Sequence, residues 1–357
     1  REFVLLTRYF DPNSSSTGRL MADLAFGLAD RGLRMLVHTE SSELRSGEDR
    51  SDDLRCRSVP TLSISEWTSA GRLVDWLVFS LGTFASLILD TADTEREVIV
   101  VSTPPFLPMV AWLLYRLRGW EYTYIVYDLW PDAGVERGYF SEESIPARVW
   151  SRIHRRVFLD AANIVALGPV MRDHIVRNCR GKIDDEDVAI IHNWEDGEHI
   201  KPIPKAENWF SKQHDLVDPF TVLYSGNINE SHDLETLVRA ATKFEEDEVK
   251  ILIIGQGLDK DRIVNLSKEL GLAEDTLQFL PYQDYDDLPY TLTSGDVTIV
   301  TKKRRVGIAV SCKLYTTMAT GRAILCIAEP ESDEARLVDR YDVGMHVVPG
   351  DVSGVVD

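Results

Sequence analysis

The sequence predicts an α/β protein made of two doubly wound domains in tandem. Three observations carry this prediction. Apolar runs of strand length alternate with helical patterns, the alternation runs through twice, and a proline-bearing polar stretch separates the two series. Strands that are apolar throughout and separated by helices belong to parallel sheets covered on both faces. The length agrees: 357 residues exceed the roughly 250–300 at which a single core stops growing.

The first series opens with "FVLLTRYF" from Phe3, followed by a helix around Leu20 to Asp30 and the strand "MLVHT" from Met35. A long amphipathic stretch, Trp67 to Leu89, leads to "EVIVVS" from Glu97, a helix through "VAWLLYRL" from Val110, and "YTYIVYD" from Tyr122. A helix near Arg148 to Leu159, the strand "NIVALG" from Asn163, a helix near Val170 to Arg177 and "VAIIHNW" from Val188 complete it. Residues 1–200 form the first domain in this reading and 201–357 the second. Lys201-Pro202-Ile203-Pro204 and the polar residues up to Pro219 read as a linker. The alternation then restarts with "TVLYSG" from Thr221, "VKILIIGQG" from Val249, "TLQFLPY" from Thr276, "DVTIVT" from Asp296, "AILCIA" from Ala323 and "GMHVV" from Gly344. Two such domains leave an interdomain cleft at the C-terminal edges of their sheets, where such folds bind ligands.

Composition narrows the function. Net charge is −19, with 22 lysines and arginines against 31 acids up to residue 200 and 17 against 27 beyond it. Neither half is basic, which argues against nucleic acid as a partner. The exceptions are local: Arg148, Arg152, His154, Arg155 and Arg156, and the run Lys302-Lys303-Arg304-Arg305. No stretch of 18 apolar residues marks a membrane span. Cys56, Cys179, Cys312 and Cys326 have no metal spacing and read as small hydrophobes in a reducing compartment. Arg1 runs directly into a strand, so no signal peptide is expected, the start reads as trimmed, and a cytoplasmic location is the default.

Several motifs carry chemistry. In "VLYSGNINESHDLETLVRAA", Val222 to Ala241, a strand runs into Gly226-Asn227 and then a helical pattern. A turn of this kind aims the free N–H groups of a helix start at an anion. Yet the turn itself holds no lysine or arginine, so the countercharge has to come from elsewhere. Thr17-Gly18 stands just ahead of a helix and reads either as a loop close to phosphate or sugar or as an ordinary turn. Gly255 to Gly257 ends another strand with the less specific Gly-x-Gly pattern. Lys302 to Arg305 follow a sheet strand and read either as a solvated loop or as an anion site, and Lys313 begins the next helix.

Taken in order, "YFDPNSSSTGR", "VVSTPPFLPMVAWLL", "YIVYDLWPDAGVERGYF", "IIHNWEDGEHIKPIP", "VLYSGNINESHDLETLVRAA", "IIGQG", "KLYTTMATGRAIL" and "DEARLVDRYDVG" resemble the family 4 glycosyltransferases with the GT-B fold. The nearest branch acts in assembly of bacterial surface polysaccharides and glycolipids. The resemblance covers nearly the whole chain, and its strength lies in eight weak motifs falling in the right order. It implies a retaining, metal-independent hexosyl- or amino-sugar transfer from a UDP-sugar, with no cofactor beyond that donor. The C-terminal domain would hold the nucleotide sugar and the N-terminal domain the acceptor.

By this resemblance the anion at Gly226 and Asn227 is the donor diphosphate. Family members commonly carry arginine and lysine where this chain has Asn227 and His232, so Lys313 of "SCKLY" becomes the principal cation, with Leu314 beside it. The branch reads Pro-Ser where this chain has Ser311 and Cys312. The paired glutamates of most family 4 enzymes fall on Ile308 and Thr316; Asp333 or Glu334 would then supply hydroxyl contacts, or simply cap a helix. Tyr282 and Gln283 lie where relatives pass a loop over the base. Asp128 is assigned to orientation and charge stabilisation, with Tyr127 standing where many relatives have histidine. Tyrosine is a poor base at neutral pH, which retention tolerates when the leaving phosphate oxygen accepts the acceptor's proton. His192 and Asn193 read as structural residues of the domain junction.

The acceptor implied is a lipid-linked or glycolipid glycan, with peripheral membrane contact through Trp67 to Leu89; the alternative for that stretch is a core helix. Two rivals remain for the whole chain: a nucleotide-sugar epimerase of the same fold, and a catalytically silent donor-binding partner. Relatives also continue into a helix that crosses back to the first domain, a segment not found before Asp357.

Overall fold

The computed structural model describes residues 1–10, 16–40, 53–61, 69–91, 95–244, 249–303 and 310–357. It divides into two compact units, one up to His192 and one from Asn193 to Asp357. The division falls between His192 and Asn193, eight residues before the expected boundary. The reason is local bonding: Thr316 Oγ1 donates to Glu195 at 2.7 Å, and His199 stacks on Tyr285 at 4.5 Å.

The first unit holds seven parallel strands: β1 Glu2–Leu6, β2 Arg34–Thr39, β3 Leu54–Ser58, β4 Arg96–Val101, β5 Tyr122–Val126, β6 Asn163–Ala166 and β7 Val188–Ile190, in the order β3-β2-β1-β4-β5-β6-β7. Its helices are α1 Ser16–Ala29, α2 Ser69–Ile88, α3 Leu107–Arg118, α4 Asp132–Glu136, α5 Ile145–Leu159 and α6 Pro169–Asn178. Central strands are buried on both faces, as Val4, Leu5 and Leu6 of β1 and Val98, Val100 and Val101 of β4 demonstrate. Each such side chain contributes roughly 1.5–3 kcal/mol. Edge strand β3 escapes a reading by apolar runs because its LRCRS sequence buries only Leu54. The first helix begins at Ser16, so Thr17 and Gly18 lie inside its first turn rather than ahead of it.

The second unit holds six parallel strands: β8 Phe220–Ser225, β9 Val249–Ile254, β10 Leu277–Leu280, β11 Val297–Thr301, β12 Ala323–Ile327 and β13 Gly344–Val347, in the order β10-β9-β8-β11-β12-β13. Its helices are α7 Trp209–Gln213, α8 Leu234–Ala240, α9 Lys260–Glu269, α10 Leu288–Leu292, α11 Cys312–Thr320, α12 Asp333–Tyr341 and α13 Val352–Val356. In both sheets the strand order reverses beside the first strand, which is where open α/β sheets present a crevice at their C-terminal edge.

The expected linker is instead part of the second unit. Asn208 caps α7 by accepting from the amides of Phe210 and Ser211, and Phe210 and Leu216 are fully buried against Leu223, Leu252 and Ile254. Two apolar anchors among polar residues are enough to dock the segment, whereas its average composition reads as loop.

Candidate functional site

The site of the second unit is built where β8 and β9 end. Gly226, at φ 140°, and Gly255, at φ 151°, hold backbone conformations that side chains strain to adopt. Gly226 N donates to Ile254 O at 2.9 Å and Ile228 N to Gln256 O at 2.8 Å, so the two turns are zipped together. A Cβ on Gly255 would stand 1.9 Å from the Gly226 carbonyl oxygen. The glycines are thus required by close backbone approach.

Lys313, in the first turn of α11, lies across this turn. A Cβ on Gly226 would meet its Cε at 2.2 Å, its Nζ stands 5.4 Å from the Tyr224 ring centre, and it donates to His232 Nε2 at 3.3 Å. The two residues that sequence reasoning paired as the diphosphate partners therefore face each other. Burial lowers the pKa of Lys313. His232 is pushed down to about 3, first by burial, then by the charge of Lys313, with Lys303 and Lys302 adding to it and the Asn227 carbonyl opposing. The imidazole is therefore neutral near pH 7 and serves Lys313 as acceptor rather than as a second cation. Tyr224 steadies the turn by donating to the Asn227 carbonyl at 2.5 Å.

Further cations arrive from the end of β11. Lys303 N donates to Ser231 O at 2.8 Å, fastening the loop after β11 to the loop after β8. Lys302 Nζ is 3.6 Å from Glu334 Oε1, and the same oxygen accepts from Ser311 N at 2.9 Å. Glu334 is only 1% exposed. One buried carboxylate thereby fixes both Lys302 and the residue that starts α11. Lys260 Nζ reaches the Gly255 carbonyl at 3.1 Å. Arg304, Arg305 and Ile308 lie outside the described residues.

The countercharge does not come from the helix that follows Gly226. Helix α8 is capped by Asp233, whose carboxylate accepts from Thr236 N at 3.3 Å and from Thr236 Oγ1 at 2.5 Å. Its start already carries a negative group, which corrects the expectation of a cradle built from its free amides. Helix α11 has no side-chain cap from Ser311, the Glu334 carboxylate takes the Ser311 amide, and what sets this helix apart from α8 is the Lys313 ammonium in its first turn. The favourable end of a helix dipole and a buried ammonium coincide there.

Other expected contacts divide. Tyr282 is half-exposed and its hydroxyl reaches the Gln256 carbonyl at 3.5 Å, which brings it to the rim of the glycine turns. Gln283 Nε2 folds back onto the Pro281 carbonyl at 2.9 Å. The Leu314 side chain is fully buried with Val300 and Ile324, a correction to its expected ligand contact, because position 314 falls on the core face of α11. Asp333 is 3% exposed in the first turn of α12 behind Ser332, the capping residue. The bond from Thr316 to Glu195 puts a carboxylate beside the position where the resembled family carries one. No sequence signal links residues so far apart.

In the first unit, Ser102 Oγ accepts the amides of Tyr127 at 2.9 Å and Asp128 at 2.8 Å, fixing the turn after β5 to the end of β4. Asp128 Oδ1 pairs with Arg137 at 3.4 Å. Both acid and base line a cavity of about 190 Å³ with Arg72, Trp76, Ser102 and Trp130. His192 Nδ1 donates to the Leu167 carbonyl at 2.8 Å, a structural bond. Thr17 and Gly18 lie in the first turn of α1, and Gly18 is buried. Among the described residues no three histidine, cysteine, aspartate or glutamate side chains gather as a metal site.

Comparison with known proteins decides the family. Residues 17–194 match the glycosyl transferase 4-like domain and residues 205–356 the glycosyl transferases group 1. The chain is a family 4 glycosyltransferase. It is 22% identical to the probable glycosyltransferase WbjE of Pseudomonas aeruginosa, over 98% of this chain and 86% of that protein. Among solved structures, this glycosyltransferase resembles sucrose-phosphate synthase of Thermosynechococcus elongatus with a TM-score of 0.76 and 16% identity, covering 100% of this chain and 88% of that one. HepE of Anabaena, solved in complex with UDP, gives 0.73 and 14% over 100% of this chain and 88% of its own. These likenesses establish the two-domain GT-B fold.

Proposed function

We propose that this glycosyltransferase is a retaining, metal-independent enzyme that takes its sugar from a uridine diphosphate donor and extends a lipid-linked or glycolipid glycan at the cytoplasmic face of a membrane. The observation that carries the reading is the contact between Lys313 and neutral His232 across Gly226. A buried ammonium, its pKa lowered by burial, is a group whose charge an arriving diphosphate stabilises. Preorganised cations at the place where charge develops are the kind of device that accelerates such a departure, and loss of one donor of this type typically costs about 10²–10³ in turnover. The fold shared with HepE, whose crystals hold UDP, supports the choice of nucleotide.

In the proposed reaction the bond from the anomeric carbon to the phosphate oxygen breaks while the acceptor oxygen bonds to the same face. The acceptor's proton passes to the departing phosphate oxygen. Lys313, Lys302 and Lys303 neutralise the diphosphate, and Glu334 keeps Lys302 and the start of α11 in place. Asp128, oriented by Arg137 and by the Ser102 anchor of its backbone, stabilises positive charge on the sugar.

A calorimetric screen of uridine, guanosine and adenosine diphosphates, each with and without magnesium or manganese, tests this directly. Preference for the uridine compound, unchanged by metal and lost in Lys313→Ala, is the expected result. Equal binding of all three, or binding only with metal, overturns the donor assignment. Conversion of the donor sugar without an acceptor would mark an epimerase instead.

A further inference from the structure

The cavity beside Asp128 holds donors that no other residue of the first unit takes up. It lies between the start of α2 and the turns after β4 and β5. Trp76 lines it, the side chain is 8% exposed, and its indole Nε1–H has no partner among the described residues. Ser102 is fully buried, and its Oγ already accepts the amides of Tyr127 and Asp128. Both lone pairs are then used, which leaves the hydroxyl proton to be donated. Arg137 gives Nη2 to Asp128 at 3.4 Å and keeps its other N–H groups in reserve. Arg72 brings a second guanidinium to the lining. An unmatched buried donor costs roughly 1–3 kcal/mol, and a ligand rich in acceptor oxygens removes that cost here.

The sign of that ligand follows from the charges around it. A cation would have to displace Arg137 from Asp128 and then sit beside Arg72. Two guanidinium groups against one carboxylate leave a single positive charge in the lining, which matches one further carboxylate. A diphosphate carries more charge than this and would press against Asp128. A guanidinium has five N–H donors in one plane, so Arg137 can bridge Asp128 and a second carboxylate without giving up the first. The remaining walls are flat and aromatic. Trp130 stands edge-on to Trp76 at 5.9 Å and stacks on Tyr139 at 6.2 Å, and surfaces of this kind suit the C–H faces of a sugar ring. The cavity, at about 190 Å³, is smaller than the roughly 300–1,000 Å³ of sites for drug-sized ligands, and so takes one ring rather than a chain of them.

We propose that this cavity seats an acidic sugar of the acceptor, a pyranose ring bearing one carboxylate, with the carboxylate on Arg137 and Arg72 and the ring's oxygens on the Trp76 indole and the Ser102 hydroxyl. The inference rests on the transferase reading and narrows its acceptor to the uronic acid class, with Arg137 as the residue that sets specificity. The test titrates the full chain, with and without saturating uridine diphosphate, with methyl glucuronide, methyl galacturonide and the neutral methyl glucoside and methyl galactoside. Affinities are read by saturation-transfer NMR, with inorganic diphosphate added as a competitor. The acidic glycosides should bind about 10- to 100-fold tighter than the neutral ones. Arg137→Gln should bring them down to the neutral level and leave the neutral affinity where it was, a split that a merely structural arginine does not produce. Arg137→Lys should keep part of the preference. Trp76→Phe, which keeps an aromatic ring and drops the N–H, should weaken both classes a few-fold. Circular dichroism and uridine diphosphate affinity at the parent values show that the variants are folded. Equal binding of acidic and neutral glycosides, binding of neither, or an Arg137→Gln variant that keeps the preference overturns the proposal. Displacement of the glucuronide by inorganic diphosphate while uridine diphosphate fills its own site also overturns it, and assigns the cavity to the diphosphate that joins a sugar to its lipid. Failure of uridine diphosphate to bind, with the acidic preference intact, leaves the acidic-sugar site standing and counts against the transferase reading alone.

Discussion

The two sheets end in opposite ways. In the first unit the turn after β5 closes on itself: Ser102 takes the Tyr127 and Asp128 amides, and the Asp128 carboxylate meets Arg137 at 3.4 Å. The Asp128 carboxylate there is paired. In the second unit the turns after β8 and β9 are thinned to glycine, and Lys313 fills the space with a neutral histidine as its companion. Charge there is left over. The difference teaches that a shared doubly wound plan sets where a site forms, while the side chains lodged in each turn decide whether it gathers surplus charge or pairs the carboxylate it holds.

The largest expected effect comes from removing the surplus charge. Lys313→Ala should weaken uridine diphosphate binding and lower turnover by about two orders of magnitude or more, with a small change in melting temperature, as read by calorimetry and a thermal scan. Unchanged binding would erase the contrast between the units. Gly226→Ala comes next: its Cβ would displace Lys313 and strain a φ of 140°, costing about 1–3 kcal/mol in stability and most of the nucleotide affinity. Asp128→Asn should sharpen the comparison from the other side, lowering turnover while uridine diphosphate affinity stays at the parent value.

The pH response joins the units, since His232 of the second, held by burial at about 3, adds to the same acid-side loss as two histidines of the first. Burial holds His38 and His154 of the first unit at about 4, well below the ordinary 6.5. The unfolded chain therefore binds protons first as pH falls. The stability that rests on their neutral form is complete above pH 6.5 and is lost between 6.5 and 4, by up to roughly 3 kcal/mol for each. Denaturant titrations at several pH values should follow this slope, and His38→Leu should flatten it. In the second unit burial lowers the Lys313 pKa, so uridine diphosphate affinity should fall on the alkaline side as this ammonium loses its proton, as read by calorimetry across a pH series. The smallest effect is expected from Tyr282→Phe, which removes only a long hydroxyl contact to Gln256 and should change affinity by a few-fold at most.

Much of this could be read in advance. Parallel strands buried on both faces leave continuous apolar runs, which is why β1, β4, β8 and β9 are plain in the sequence and the thin edge strand β3 is not. Gly226, His232 and Lys313 were legible because turn chemistry and family order point to them separately. Glu334 as the clamp on Lys302 and Ser311, and Glu195 beside Thr316, were not. Their partners lie 23 and 121 residues away, and no periodicity connects such positions. The helix start after Gly226 misled because the Asp233 cap takes the Thr236 amide and places a carboxylate where an anion would have sat.

By itself the sequence determined the class of fold, its two-part organisation and the family, since hydrophobic period and motif order are properties of the chain. Tertiary structure alone decided which cations meet at Gly226, that His232 is neutral, that α7 docks rather than links, and that α2 buries Asp75 against Arg8. Each of these depends on burial and on distances between residues remote along the chain, and burial is what sets the cost of a charge and the visibility of an apolar face.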